Sequence, residues 1–361
     1  MKPADRVSFS MAVVGLCLLA FALYGFAAEA PFYKGKTITV LINYAAGGPT
    51  DIEGRLVARH LVRHIAGEPL VIANNMAGAG GVIATNYLGE VARPDGLTVG
   101  YFTQQFLNVL TADPTLRVDL SRFVYIASIE GVAVAYIRRD VPPGIKEPRD
   151  IVKAQRFKAG GLSVNSSKDV RLRMQLDLLG APYQYVTGYN SNSEARLAVQ
   201  RNEIQFFTEG TPAYRATVEP TMVKTGMVIP VYHDELVTAE GEARPSVEVP
   251  EIPTFAQLYQ QVHGKPASGL LWESLKVINM GQTMQRVLML PPGSPQEAVA
   301  ALRQAFAAMV RDGQFTEEFK KVTKSYPRYS VGGEGERLMK RLVQTSPEVK
   351  KMIRQYTEVM K

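Results

Sequence analysis

The sequence predicts an α/β protein in two halves, each a sheet covered by helices. Three observations carry this. Short apolar runs rich in β-branched residues alternate with segments of helical period. That alternation occurs before residue 130 and again after it. Glycine, proline and Ser/Thr residues stand at the junctions.

Taken in order, "KTITVLINY" (36–44) alternates apolar with polar and reads as a strand. The segment that follows, "GGPTDIEGRLVARHLVRHI", carries Thr50 and Glu53 at capping-box spacing, then Ile52, Leu56, Val57, Leu61 and Ile65 at helical spacing. "PLVIANN" is a second strand and "MAGAGG" a glycine turn. Ile83, Tyr87 and Val91 lie at i, i+4 and i+8, the spacing of the next helix, and "PDGLTVGYFT" is a turn and a third strand. Strand and helix alternating in this way predict parallel pairing.

The second half repeats the grammar. "FKAGGLSV" leads to a helix opened by Ser166 with Asp169 three residues on and closed by Gly180 and Pro182. "YQYVTGYN" leads to a helix opened by Ser191 with Glu194, and "EIQFFTEG" to one with Pro212 at its first turn. Late in the chain, "RVLMLPPGSPQEAVAALRQAFAAMV" reads as strand, turn and helix. The expected divisions are 31–130 and 131–250, with 251–361 returning to the first half after the Pro-rich crossover "VEVPEIPTFAQL".

The 361 residues are 46% apolar and 21% charged, which excludes a disordered or fibrous chain. A net charge of +7 without a long Lys/Arg run suits anionic partners but not nucleic acid. Lys2 and Arg6 precede an apolar stretch ending in Ala28-x-Ala30, the order of a signal peptide (1–30) cut after Ala30. An uncleaved anchor is the alternative. A lipoprotein reading of Cys17 is disfavoured by bulky Leu16. Cys17 is the one cysteine, so the exported chain is expected to hold no disulfide.

Ligands of open sheets bind where helix N-termini meet the carboxyl ends of strands. At Gly47–Gly48 and Gly78–Gly81 an anion could approach backbone N–H groups closely. The plainer explanation is that such turns merely join strands to helices. A dinucleotide fingerprint fails: Gly78 and Gly80 fit, but the last position is Ile83. No cofactor is expected. His60 and His64 could hold a metal at i, i+4, yet Arg55, Arg59 and Arg63 interleave them, so a solvated basic face is expected and no metal. Ser163, Ser166 and Ser167 lack an evident base, and Trp272 is expected in the core.

At this point the sequence resembles the periplasmic solute receptors of tripartite tricarboxylate transporters, the Bug family. "FYKGKTITVLINYAAGGPTD" is similar to that family's opening strand and Pro-Gly-Gly-x-x-Asp loop, with Ala46 for proline and Tyr44 for phenylalanine. "NNMAGAGG" is similar to its Asn-x-Pro-Gly-Ala-Gly-Gly signature, with Ala77 for proline; "RPDGLTVGYFT", "IPTFAQL" and "LPPGSPQEAVAALRQAF" resemble later segments. The resemblance implies a type II periplasmic-binding-protein fold, two α/β domains around a cleft that closes on a small carboxylate. It implies a ligand carboxylate held by Tyr44, Ala46, Gly47, Gly48, Thr50, Asp51, Gly78, Ala79, Gly80 and Gly81, flanked by Thr103 and Gln104. Ser163, Asn165, Ser166, Ser167, Tyr189, Asn190 and Thr208 would close over it, with Glu209 facing away or meeting an amine.

The expected protein is therefore a monomeric periplasmic receptor, not an enzyme, that delivers a carboxylate to membrane permease subunits. The rival readings are a ligand sensor for a membrane kinase and an exported hydrolase using one of the serines.

Overall fold

The computed structural model of the chain describes residues 30–358. The signal-peptide reading falls on residues 1–29, outside the described residues, apart from Ala30. Thirteen strands are present among the described residues: β1 (Thr37–Ile42), β2 (Leu70–Asn75), β3 (Thr98–Thr103), β4 (Val124–Ile129), β5 (Ala133–Arg138), β6 (Phe157–Gly160), β7 (Tyr183–Val186), β8 (Phe206–Gly210), β9 (Val228–His233), β10 (Leu236–Val237), β11 (Ala243–Arg244), β12 (Arg286–Leu290) and β13 (Tyr329–Val331). They form a six-stranded sheet ordered β13-β4-β12-β3-β1-β2, a five-stranded sheet ordered β7-β6-β8-β5-β9, and the β10-β11 pair.

The expectation of parallel pairing holds only in part. β1 pairs in parallel with β2 and β3, and β6 with β7 and β8. β12 runs antiparallel to β3 and β4, and β5 antiparallel to β8 and β9. The cause is the path between sheets. β5 enters the second sheet directly from β4, and β12 re-enters the first from the other side, so neither arrives through a strand-helix-strand crossover. The crossing segments touch: Gly131 N–H donates to the Gln282 carbonyl at 2.9 Å. A Cβ on Gly131 would stand 2.3 Å from the Gln285 side-chain amide, so a larger residue there would require that side chain to swing aside.

Strand alternation places the core on both faces of the first sheet. Ile38, Val40 and Ile42 pack with Leu56, Val57, Leu61, Leu302 and Phe306 on one face, while Leu41 joins Leu88, Phe102 and Phe106 on the other. That second core runs on through helices Leu270–Thr283 and Glu334–Val343 to Phe157, Phe206 and Tyr232 of the second sheet. At about 1.5–3 kcal/mol per fully buried large apolar side chain, this shared core is a major stabilising link between the halves. The chain does not cross back at 251 as expected. Helix Phe255–His263, capped by Thr254 and Gln257, first packs on β9 and on helix Ser167–Leu179; β12 is the strand that rejoins the first sheet. Trp272 is core, 8% exposed, its ring stacked 6.1 Å from Phe255.

One further local reading differs. Helix Pro49–Leu61 is capped by the Gly48 backbone, with no side-chain cap, so Thr50 and Glu53 form no capping box. In helix Val82–Glu90 the buried residues are Val82, Ala84, Thr85, Asn86 and Leu88; Ile83 and Val91 are exposed. Polar Thr85 and Asn86 are on the buried side while apolar Ile83 faces out, so apolar spacing does not mark the side that faces the sheet.

Candidate functional site

Helices that open by the local rules above converge on one cavity. Ser166 caps helix Ser167–Leu179, its Oγ accepting from Asp169 N–H at 3.2 Å, and Ser191 caps helix Asn192–Gln200, accepting from Glu194 N–H at 3.1 Å. Thr211–Ala213 carries Pro212 in its first turn and runs into the π-helical segment Tyr214–Val223. With Pro49–Leu61 of the first half, these segments set their first turns around a cavity of about 460 Å³ between the two sheets. Pro49, Ile52, Glu53, Thr103, Gln104, Phe106, Gln285 and Arg286 line one side; Ser167, Lys168, Arg171, Asn192, Gly210 and Pro212 line the other. Each helix start places partial positive charge and free N–H groups toward that space.

The charged side chains are braced from behind. Arg171 is 4% exposed, with Nε 2.8 Å from Asp234 Oδ2. Asp234, 2% exposed, also accepts from Gln175 Nε2 at 2.8 Å, Gln282 Nε2 at 2.9 Å and Ala133 N–H at 3.2 Å. Lys168 Nζ lies 3.4 Å from Asp169 Oδ1 and 4.0 Å over the Phe207 ring. Burial lowers its pKa, against the pull of Asp169 and Glu209, and Nζ has no hydrogen-bond acceptor among the described residues. Arg286 Nη1 donates to the Gln285 carbonyl at 3.2 Å, while its Nε, 3.5 Å from Glu53 Oε2, is unpartnered among the described residues.

Of the residues singled out from sequence, Thr103, Gln104 and Ser167 line this cavity. The glycine loops stand at its margin and are tied to each other. Tyr44 OH donates to the Gly80 carbonyl at 2.9 Å, and Gln105 Nε2 donates to the same oxygen at 2.9 Å. Ala46, Gly47, Ala79 and Gly80 are exposed, Gly48 and Gly78 half-buried, and none of them lines the cavity. Gly81 is buried at φ +102°, where a Cβ would meet Asn43 Nδ2 at 2.5 Å; this glycine is required by backbone and space alike.

Asp51 is engaged inside the first half, accepting from Gly47 N–H and Arg55 Nε, each at 2.8 Å, and from Asn75 Nδ2. Burial alone would raise its pKa, but those donors together hold it below the usual carboxylate value. Thr50 Oγ1 bonds Thr103 Oγ1 at 2.8 Å.

In the second half, Ser163 Oγ donates to Asn165 Oδ1, and Asn165 belongs to a separate depression beside Arg354. Tyr189 packs on the second-half core, and Asn190 bonds Glu194. Thr208 is buried, its Oγ1 unpartnered among the described residues. Glu209 is fully buried and does not line the cavity. Arg196 Nε stands 2.9 Å from its Oε1 and Tyr136 OH donates at 3.1 Å. Burial raises its pKa against those partners, and it is not placed to meet a ligand amine.

His60 is 3% exposed with Nε2 2.6 Å from Glu318, so it does not lie on a solvated face. No cluster of potential metal ligands occurs among the described residues. Lys168, Arg171, Asn192 and Arg286 were not anticipated. For the first two a signal existed: two cations three residues apart near a helix start, Lys168 in the first turn and Arg171 in the second, share a face.

No family model matches the chain. Among curated proteins it is 25% identical over 304 residues to the UPF0065 protein in gbd 5'region of Cupriavidus necator, covering 81% of this chain and 80% of that one. It is 37% identical over 91 residues to Protein BugT of Bordetella pertussis, 25% and 26% of the two chains. Among solved structures, a TctC solute binding protein from Polaromonas superposes with TM-score 0.66 at 19% identity, over 90% of this chain and 99% of that one. Rpa4515 of Rhodopseudomonas palustris with adipate gives 0.57 at 17% identity, over 90% and 97%. MatC of the same organism with bound malate gives 0.52 at 18%, over 90% and 98%. The fold is that of two-domain periplasmic binding proteins, and the chain is similar to proteins named as UPF0065, Bug and TctC solute-binding proteins.

Proposed function

We propose that the protein is a periplasmic receptor that captures a small organic anion in the cavity between its two sheets and passes it to a tripartite membrane permease. The ligand-gripping bodies are 31–130, rejoined by the chain at β12, on one side and 131–250, with helix Phe255–His263 packed on it, on the other. One observation carries this reading: helix first turns from both halves, with Lys168, Arg171 and Arg286, surround one cavity of about 460 Å³. Backbone N–H groups, helix dipoles and braced guanidinium groups favour carboxylate over neutral or cationic solutes. The bound malate and adipate of structural neighbours support the same class. Thr103 and Gln104 would position the ligand from the first half and Ser167 from the second. Export by a cleaved signal peptide supplies the compartment.

Thermal-shift titration of the purified protein against organic acids, sugars and polyamines tests the reading. A ligand at 100 times its Kd stabilises the native state by about 2.7 kcal/mol. An organic acid should raise the melting temperature; stabilisation by neutral or cationic solutes alone refutes the proposal.

A further inference from the structure

We infer that the open edge of the second sheet, at β7, is a docking groove for an extended protein segment that carries an acidic side chain. The groove shares no lining residue with the cavity between the sheets.

β7 is the outermost strand of its sheet, paired on one side only among the described residues. The Pro182 and Val186 carbonyls accept from the N–H groups of Phe157 and Gly161 at 3.0 and 2.8 Å. A strand turns alternate residues to alternate sides, so the N–H and carbonyl of Tyr185 and the carbonyl of Tyr183 point to the unpaired side. Edge strands are commonly blunted by charge or proline. Tyr183–Val186 holds neither. A cavity of about 710 Å³ runs along it. Residues 181–185 all line that cavity. Successive strand side chains face opposite ways, so an unbroken run is reached only from the strand's edge.

Charge selects the occupant. Arg173 lines the groove, is 1% exposed and forms no ion pair among the described residues. Its Nε donates to the Asp169 carbonyl at 3.2 Å, and Nη2 to the carbonyls of Val164 and Tyr356. The guanidinium lies 4.8 Å over the Tyr185 ring. These partners are neutral, and Nη1 has no acceptor among the described residues. A buried cation held in this way is completed by an anion. Asp177, the acid of the lining, is already engaged: its two oxygens accept from Tyr183 OH at 2.9 Å and Tyr356 OH at 2.5 Å. Exposed Arg156 adds a second cation that forms no ion pair among the described residues. A strand paired on Tyr185 would gain affinity from its backbone, and a carboxylate on Arg173 would set its selectivity.

The probe is the blocked pentapeptide acetyl-Thr-Val-Glu-Val-Thr-amide, beside its counterparts with glutamine or lysine at the centre. In calorimetry on the unaltered protein the glutamate peptide should bind at least about tenfold more tightly than the glutamine peptide, the loss expected for a hydrogen bond to a charged group. Hydrogen exchange at the Tyr185 amide should slow when it binds. Arg173→Met should bring the two affinities within about twofold. If that variant fails to fold, Arg156→Glu takes its place and should weaken the glutamate peptide while strengthening the lysine peptide. Glutamate and glutamine peptides binding alike, or a preference that survives in the variant, overturn the arginine's role. Failure of all three peptides to bind overturns the groove. Slow exchange at the Tyr185 amide before any peptide is added also overturns it, and assigns the edge to a second copy or another segment of this chain.

Discussion

Replacing Glu235 with glutamine should make the protein more stable at pH 8 relative to pH 5 than the unaltered chain. Glu235 is 2% exposed, at the entrance to β10. Oε1 accepts from Ala256 N–H in the first turn of helix Phe255–His263, and Oε2 accepts from Asn279 Nδ2 at 3.1 Å. Burial pushes its pKa up to about 7, the backbone donors and Thr254 opposing.

Because the native pKa exceeds that of the unfolded chain, the native state holds more protons between about 4.5 and 7. The stability from this group is therefore full below about pH 4.5 and falls as pH rises through 7. Between pH 5 and 8 the loss is roughly 2–3 kcal/mol. Glutamine cannot ionise and keeps an acceptor for Ala256. Its NH2 can donate to Asn279 Oδ1, which is unpartnered among the described residues, once that amide turns over. Urea denaturation of both proteins at the two pH values measures the difference. A variant whose stability relative to the unaltered protein is the same at both pH values would refute a raised native pKa at Glu235.

Three further outcomes are expected. Ser166→Ala, which removes a cap, should cost about 1 kcal/mol in denaturation; Ser167→Ala should leave stability nearly unchanged and weaken ligand binding by about tenfold in calorimetry, consistent with its place in the cavity wall. Asp234→Ala should destabilise by about 3–5 kcal/mol in the same unfolding assay, since it leaves Arg171 charged and unpaired within a largely buried network. N-terminal sequencing of periplasmic protein should begin at or near Pro31; an intact Met1 on membrane-bound protein would show an uncleaved anchor.

Features that depend on neighbours a few residues apart were readable in the sequence. Ser166, Ser191 and Gly180 were legible as helix ends because a cap is a contact across three or four residues, and the structure forms each one. The two-half architecture was legible because strand and helix periodicities are also local. The rest came from contacts between distant segments. Thr50 looks like half of a capping box, but β3 places Thr103 beside it, 53 residues away, and the hydroxyl bonds there instead. Asp51 looks available to a ligand but is claimed by Arg55, Asn75 and the Gly47 N–H. Arg171 reads as one more helix cation until Asp234, 63 positions further on, holds its guanidinium at the cavity wall. Burial also moves Glu209 from candidate ligand contact to internal ion pair. Such assignments turn on which charges are desolvated together, and that is set by the meeting of segments far apart in the chain.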